Sequence, residues 1–234
     1  MPSDTLTTRT AARPAFNTKT LVSLAMLTAL AFAAMVVCKV IPPIGGFLSL
    51  DAKDTVIAIG GCIFGVVPAF LMSVVVSLLE FLTVSDTGPF GLLMNIIATS
   101  AFVCPFVYIY RRKHNTSAAV LGLIAGVVTL TALMLLWNYI VTPIYYNMER
   151  ELVVAMLPTL ILPFNLVKGV LNSALIMLLY PPVVGALRKV GLVPKSQTQS
   201  GQPAKQKFNF VPTVISAVVL VTGILLALAM MKIL

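Results

Sequence analysis

Between residues 21 and 41 the chain carries one charged side chain, Lys39, and a run of that length leaves few folds open. The hydrocarbon of a bilayer is about 30 Å thick and offers the backbone no water, so a spanning segment must satisfy its own N–H and C=O groups as a helix. Further apolar runs follow at about 53–67, 68–82, 91–110, 117–142, 158–187 and 210–231. The expected fold is therefore an all-α membrane protein. Composition agrees, because 59% of the 234 residues are hydrophobic and only 10% are charged, unlike a soluble globular domain.

Punctuation between the runs sets the expected order of helices. Pro42-Pro43 ends the first helix, since a proline ring clashes with the preceding turn and supplies no donor. The Gly45-Gly46 loop that follows offers Asp51 or Asp54 as N-cap of a short second helix. Gly65-Val66-Val67-Pro68 gives a tight reversal, and residues 83–91 are rich in turn formers. This divides the chain into a disordered leader at 1–18, a six-helix membrane domain at 19–189, a basic flexible linker at 190–209 and an additional C-terminal transmembrane helix at 210–234. The first apolar run is too long for the h-region of a cleaved signal, which is about 7–15 residues.

Charge sets orientation. Eleven of the 16 basic residues (Arg9, Arg13, Lys19, Arg111, Arg112, Lys113, Arg188, Lys189, Lys195, Lys205 and Lys207) fall on one side of the expected bundle, which places the N-terminus in the cytoplasm of a multi-pass plasma-membrane protein. The net charge of +9 is thus topological, and no nucleic-acid partner is expected. Six of the seven acids, all but Asp4, then lie at or near the outer face. Cys38, Cys62 and Cys104 stand apart in apolar segments and read as inert thiols; His114, the one histidine, sits in a basic loop.

The costly polarity lies elsewhere. Asn165, Lys168 and Asn172 recur at i, i+3 and i+7 within an apolar run, hence on one narrow arc of a helix. A lysine in a membrane segment costs about 2.5–3.5 kcal/mol on insertion scales and faces a cavity or a partner by default. Asn138 falls at a similar depth in the fifth helix, so these amides and the ammonium converge on the outer half, as the wall of a small-molecule pocket would. Ala25, Ala29 and Ala33 form a small-residue stripe suited to close helix contact, and Gly61-x-x-x-Gly65 is a weaker one.

The segments Phe47-Leu48-Ser49-Leu50-Asp51-Ala52-Lys53-Asp54, Glu80-Phe81-Leu82, Thr87-Gly88-Pro89-Phe90-Gly91, Asn138-Tyr139 and Pro163-Phe164-Asn165-Leu166-Val167-Lys168-Gly169 resemble, in order and spacing, the substrate-binding membrane subunits (S components) of energy-coupling factor (ECF) vitamin transporters, and most closely the riboflavin-specific type. The resemblance implies a six-helix bundle that binds its vitamin from outside. It also implies partnership with a transmembrane coupling subunit and two ATPase subunits, within membrane lipid and with no cofactor beyond the riboflavin it carries. It further implies that Asn138, Asn165 and Lys168 hold the flavin ring and that Ala25, Ala29 and Ala33 meet the coupling subunit. Asn172 joins the set from its place on the helical arc alone. The chain departs from the six-helix pattern in its seventh helix.

Chemistry is compatible with this. The pyrimidine edge of a flavin alternates carbonyl acceptors with an N–H donor, which asparagine amides and an ammonium can match. A different vitamin would share the architecture and change only the pocket. A stand-alone ion-coupled transporter would need a carboxylate or histidine deep in the bundle and often an internal repeat; neither is visible, and Glu80, the one near candidate, lies at an external helix end and reads as rim or loop support. A hydrolase would need a nucleophile with a base, or a metal cluster, and the chain lacks a phosphate-binding Gly-x-x-x-x-Gly-Lys-Ser/Thr loop, so any ATP is hydrolysed by partners.

Overall fold

The computed structural model describes residues 18–46, 48–85, 87–192 and 210–233, with side chains of the last segment over 213–231. The expected leader and most of the linker lie outside the described residues. In chain order the helices are α1 (Thr18–Cys38), α2 (Lys53–Phe64), α3 (Val66–Thr83), α4 (Gly88–Lys113), α5 (Thr116–Tyr146), α6 (Arg150–Met156), α7 (Leu162–Lys189) and α8 (Phe210–Ile233). A π-helical turn, Leu157–Ile161, joins α6 to α7 into one continuous rod. Among the described residues six helical segments are long and apolar enough to cross a membrane, α8 included and α2 excluded.

The exception organises the bundle. At 12 residues α2 is about 18 Å long, too short to span, yet ten of its residues are buried and it packs against α1, α3, α4 and α7. A helix apolar on every side belongs in the middle of a bundle, and α2 is that middle helix. Its short length follows from where it starts. The connection from 39 to 52 dips into the bundle before the helix begins, so Lys53 and Asp54, expected near the surface, are 1% and 0% exposed. Neither Asp51 nor Asp54 caps the helix: its N-cap is Ala52, which makes no side-chain bond.

Helix boundaries differ from the expected ones where prolines lie. The fifth helix runs through Pro143 to Tyr146 and is closed by left-handed Asn147, whose N–H bonds the Pro143 carbonyl. Pro158 and Pro163 each lack a donor for the carbonyl four residues earlier. The chain passes Pro158 in a wider i→i+5 turn, with Leu162 N–H bonded to Leu157 C=O, and Pro163 falls in the first turn of α7. Gly65 serves as the joint between α2 and α3 at φ +118°, while Gly61 packs against Val107 and Ala69. The tightest helix contact uses Gly122 and Gly126 of α5. A Cβ at Gly126 would stand 2.5 Å from the Phe102 carbonyl oxygen of α4.

In the loop after α1, Ile44 and Leu48 exchange both backbone hydrogen bonds (2.8 and 3.0 Å) around a turn at Gly45-Gly46. Ile44 and Leu48 pack with Leu160 and Phe164 as a small apolar cluster, and Met230 and Met231 of α8 rest against it. The rest of α8 runs along α7, with Gly223 seated on Leu171. Gly45 sits at φ +62°, and a Cβ there would lie 2.7 Å from Leu160 Cδ2. Gly45→Ala should therefore destabilise the protein by about 1–3 kcal/mol, measured as a lower melting temperature in detergent. Gly46→Ala meets no atom within 4 Å and should fall less.

Candidate functional site

The sequence-predicted side chains converge under that loop. Asn138 of α5 and Asn165 and Lys168 of α7 line one cavity of about 110 Å3, together with Met35, Lys39, Leu48, Asp51, Glu80, Met94, Asn95, Met134 and Phe164. Elements from the whole bundle contribute: the end of α1, the 39–52 connection, α3, α4, α5 and α7. All three predicted residues are buried, at 2%, 3% and 7% exposure. The amides are oriented by their own helices, since Asn138 Nδ2 donates to the Met134 carbonyl and Asn165 Nδ2 to that of Ile161 (both 2.8 Å). Asn138 Oδ1 accepts from Thr142 (2.9 Å). Ile161 is the last residue of the π turn, so the turn places the carbonyl that orients Asn165.

Asn172 is placed differently. It lies on the same arc but outside the cavity lining, 2% exposed. Its Nδ2 donates to the Asp51 backbone carbonyl (3.1 Å) and its Oδ1 accepts from Thr55 (2.7 Å), so it ties α7 to the entry of α2.

Lys168, expected to face the pocket without an acid, has one. Its Nζ donates to Asp51 Oδ2 at 2.9 Å. The same carboxylate oxygen lies 3.9 Å from Lys53 Nζ, which binds Glu80 Oε2 at 2.6 Å, and Glu80 Oε1 lies 3.4 Å from Lys39 Nζ. Charges thus alternate along Lys39, Glu80, Lys53, Asp51 and Lys168. Asp54, beside this set, accepts from Thr99 at 2.6 Å. Asp51 and Glu80 are turned into the bundle because the loop that carries Asp51 is folded inward, and Glu80 is a buried wall of the cavity rather than rim or loop support. Periodicity within α7 could not reveal Asp51. The signal available was the charge density of Asp51-x-Lys53-Asp54 beside an apolar run.

A second, aromatic cavity adjoins the first and shares Thr87, Met94 and Asn138 with it; Phe90, Trp137, Tyr145 and Tyr146 line its other sides. Ala25, Ala29 and Ala33 are exposed, on the side of α1 away from inward-facing Ser23, Leu27, Ala31 and Met35. Packing inside the bundle is therefore not what the stripe serves. Cys38, Cys62 and Cys104 are free, and His114 closes α4 in a left-handed conformation at the opposite end of the bundle.

Burial raises the affinity of the Asp51 carboxyl for a proton, but the ammoniums of Lys168, Lys53 and Lys39 outweigh it and hold the group below the usual carboxylate range. A depressed carboxylate stabilises the fold fully above its unfolded value and loses that contribution as pH falls through the folded one. Asp51→Asn should thus lower the melting temperature at neutral pH. The gap to the unsubstituted protein should close only below the ordinary carboxylate range, as read by melting curves in detergent from pH 7 downward.

Comparison with known proteins gives the arrangement its family. The family profile described as "ECF transporter, substrate-specific component" matches residues 19–180. The riboflavin transporter RibU of Staphylococcus aureus (strain TCH60) is 29% identical over 178 residues, covering 74% of this chain and 94% of that protein. The riboflavin transporter FmnP of Bacillus subtilis (strain 168) is 25% identical over 171 residues, covering 69% and 90%. A solved S component of a bacterial ECF transporter superposes with a TM-score of 0.63 at 30% identity, covering 73% of this chain and 98% of that one. The chain belongs to the family of substrate-specific components of ECF transporters.

Proposed function

We propose that this chain binds riboflavin as the substrate-specific subunit of an ATP-driven uptake system whose coupling and ATP-hydrolysing subunits are separate polypeptides. The observation that carries the reading is the convergence of Asn138, Asn165 and Lys168 on one cavity in a chain whose relatives are riboflavin transporters. Two amides and an ammonium can match the acceptor–donor–acceptor edge of a flavin. Met35, Leu48, Met94, Met134 and Phe164 supply the apolar wall that its dimethylbenzene end needs. Asn172 serves the site at one remove, by fixing the Asp51 backbone.

In this reading the cavity end faces outward. The opposite end carries Lys19, Arg111, Arg112, Lys113, Arg188 and Lys189, the basic side that belongs in the cytoplasm. Residues 19–189 form the substrate-binding unit, and α8 is an addition to it. The exposed face of Ala25, Ala29 and Ala33 is the seat of the coupling subunit.

Purified protein should take up riboflavin at one per chain with quenched flavin fluorescence; a protein that ignores riboflavin and binds another vitamin would refute the substrate while leaving the family intact. Lys168→Ala should raise the riboflavin dissociation constant about 10–100-fold, since it removes a buried charged donor. It should also lower the melting temperature without ligand, because Asp51 loses its closest partner. Ala29→Leu or Ala33→Leu should abolish uptake in cells and leave binding by the purified chain within about twofold, as expected where bulk is added to a helix–helix seam.

A further inference from the structure

Lys53 is the most completely buried charged side chain with an ion pair among the described residues, at 1% exposure, and it does not line the cavity. It stands at the first residue of α2, where the helix dipole disfavours a cation, so its two carboxylates must hold it there. Glu80 Oε2 lies 2.6 Å from its ammonium and Asp51 Oδ2 lies 3.9 Å away. The same Asp51 oxygen takes the hydrogen bond from Lys168. The other oxygen, Asp51 Oδ1, is buried and makes no hydrogen bond to any described residue. The Asp51 carboxylate is therefore oriented from one side only, by Lys168 and Lys53, and whatever fixes it fixes the Lys168 ammonium in the cavity.

We infer that Lys53 is a positioning residue for ligand recognition: anchored by Glu80, it holds the Asp51 carboxylate and thereby sets the Lys168 ammonium against the carbonyl of the bound ligand. The inference rests on the riboflavin reading. Its chemistry is electrostatic and local. Without Lys53 the carboxylates of Asp51, Asp54 and Glu80 face only Lys39 and Lys168, and Lys168 is the one ammonium left within 4 Å of Asp51. An ammonium claimed more tightly by an acid donates less well to a neutral carbonyl. A lysine that merely anchored α2 would show no such dependence on Lys168.

A double-mutant cycle read by flavin fluorescence quenching tests this. Lys53→Met should raise the riboflavin dissociation constant about tenfold in the otherwise unchanged chain and less than about threefold in the Lys168→Ala background, the non-additivity expected of groups that act through one another. Equal fold-changes in the two backgrounds, or no change in either, would overturn the role of Lys53 while leaving riboflavin binding in place. Should Lys53→Met fail to fold, Lys53→Met with Glu80→Gln removes an opposite pair and keeps the net charge of the set. Comparing that chain with Glu80→Gln alone, each with and without Lys168→Ala, repeats the cycle: a smaller fold-change without Lys168 supports the role, and equal fold-changes overturn it. An unsubstituted chain that binds no riboflavin would sink both this inference and the reading beneath it.

Discussion

Burying the first turn of α2 is the constraint on which the rest of the structure depends. Lys53 and Asp54 lie deep in an apolar bundle, and lone charges in such a place would each cost several kcal/mol. Lys53 is tolerated because Glu80 of α3 and Asp51 of the preceding loop face its ammonium, and Asp54 because Thr99 of α4 donates to its carboxyl. The cavity is a by-product of that arrangement. The loop before α2 must descend to deliver Asp51, and the space above it is walled by α3 with Glu80, α7 with Lys168, and α1, α4 and α5.

The alternation also explains how one face can serve a neutral ligand. In a low-dielectric interior an unpaired ammonium would seek an anion. Paired with Asp51, Lys168 remains a strong hydrogen-bond donor without presenting a net charge. Asn138 and Asn165 complete the set with their own helix carbonyls as supports. Such a wall recognises carbonyls and amides by geometry rather than by charge, which suits an aromatic ring system with a hydrogen-bonding edge.

Much of this was legible in the sequence, for physical reasons that also mark where legibility ended. Spanning length and proline punctuation place the long helices, because a membrane permits little else. The arc of Asn165, Lys168 and Asn172 follows from helical periodicity within one run, and the structure keeps all three on the inward face. What periodicity cannot supply is a partner from another segment. Asp51 and Lys168 are 117 residues apart, and only the folded loop shows that the acid lies under the lysine. The same holds for Asn172: its arc is right, but its neighbours Thr55 and Asp51 occupy it from the far side. The π turn was hidden too, since Pro158 reads as a helix start rather than as part of a widened turn within a longer rod.

Helix α1 joins the two ends of this arrangement. One of its faces carries Met35 to the cavity, and just past its end Lys39 pairs with Glu80. The other face carries the exposed stripe of Ala25, Ala29 and Ala33. A partner that shifts α1 by its alanine face must move Met35, and with it the lysine that shares Glu80 with Lys53. Since Lys53 also faces Asp51, and Asp51 holds Lys168, a small displacement on the lipid side of the bundle has an unbroken chain of contacts to the ligand wall. Close-packed cores transmit such displacements rather than absorbing them.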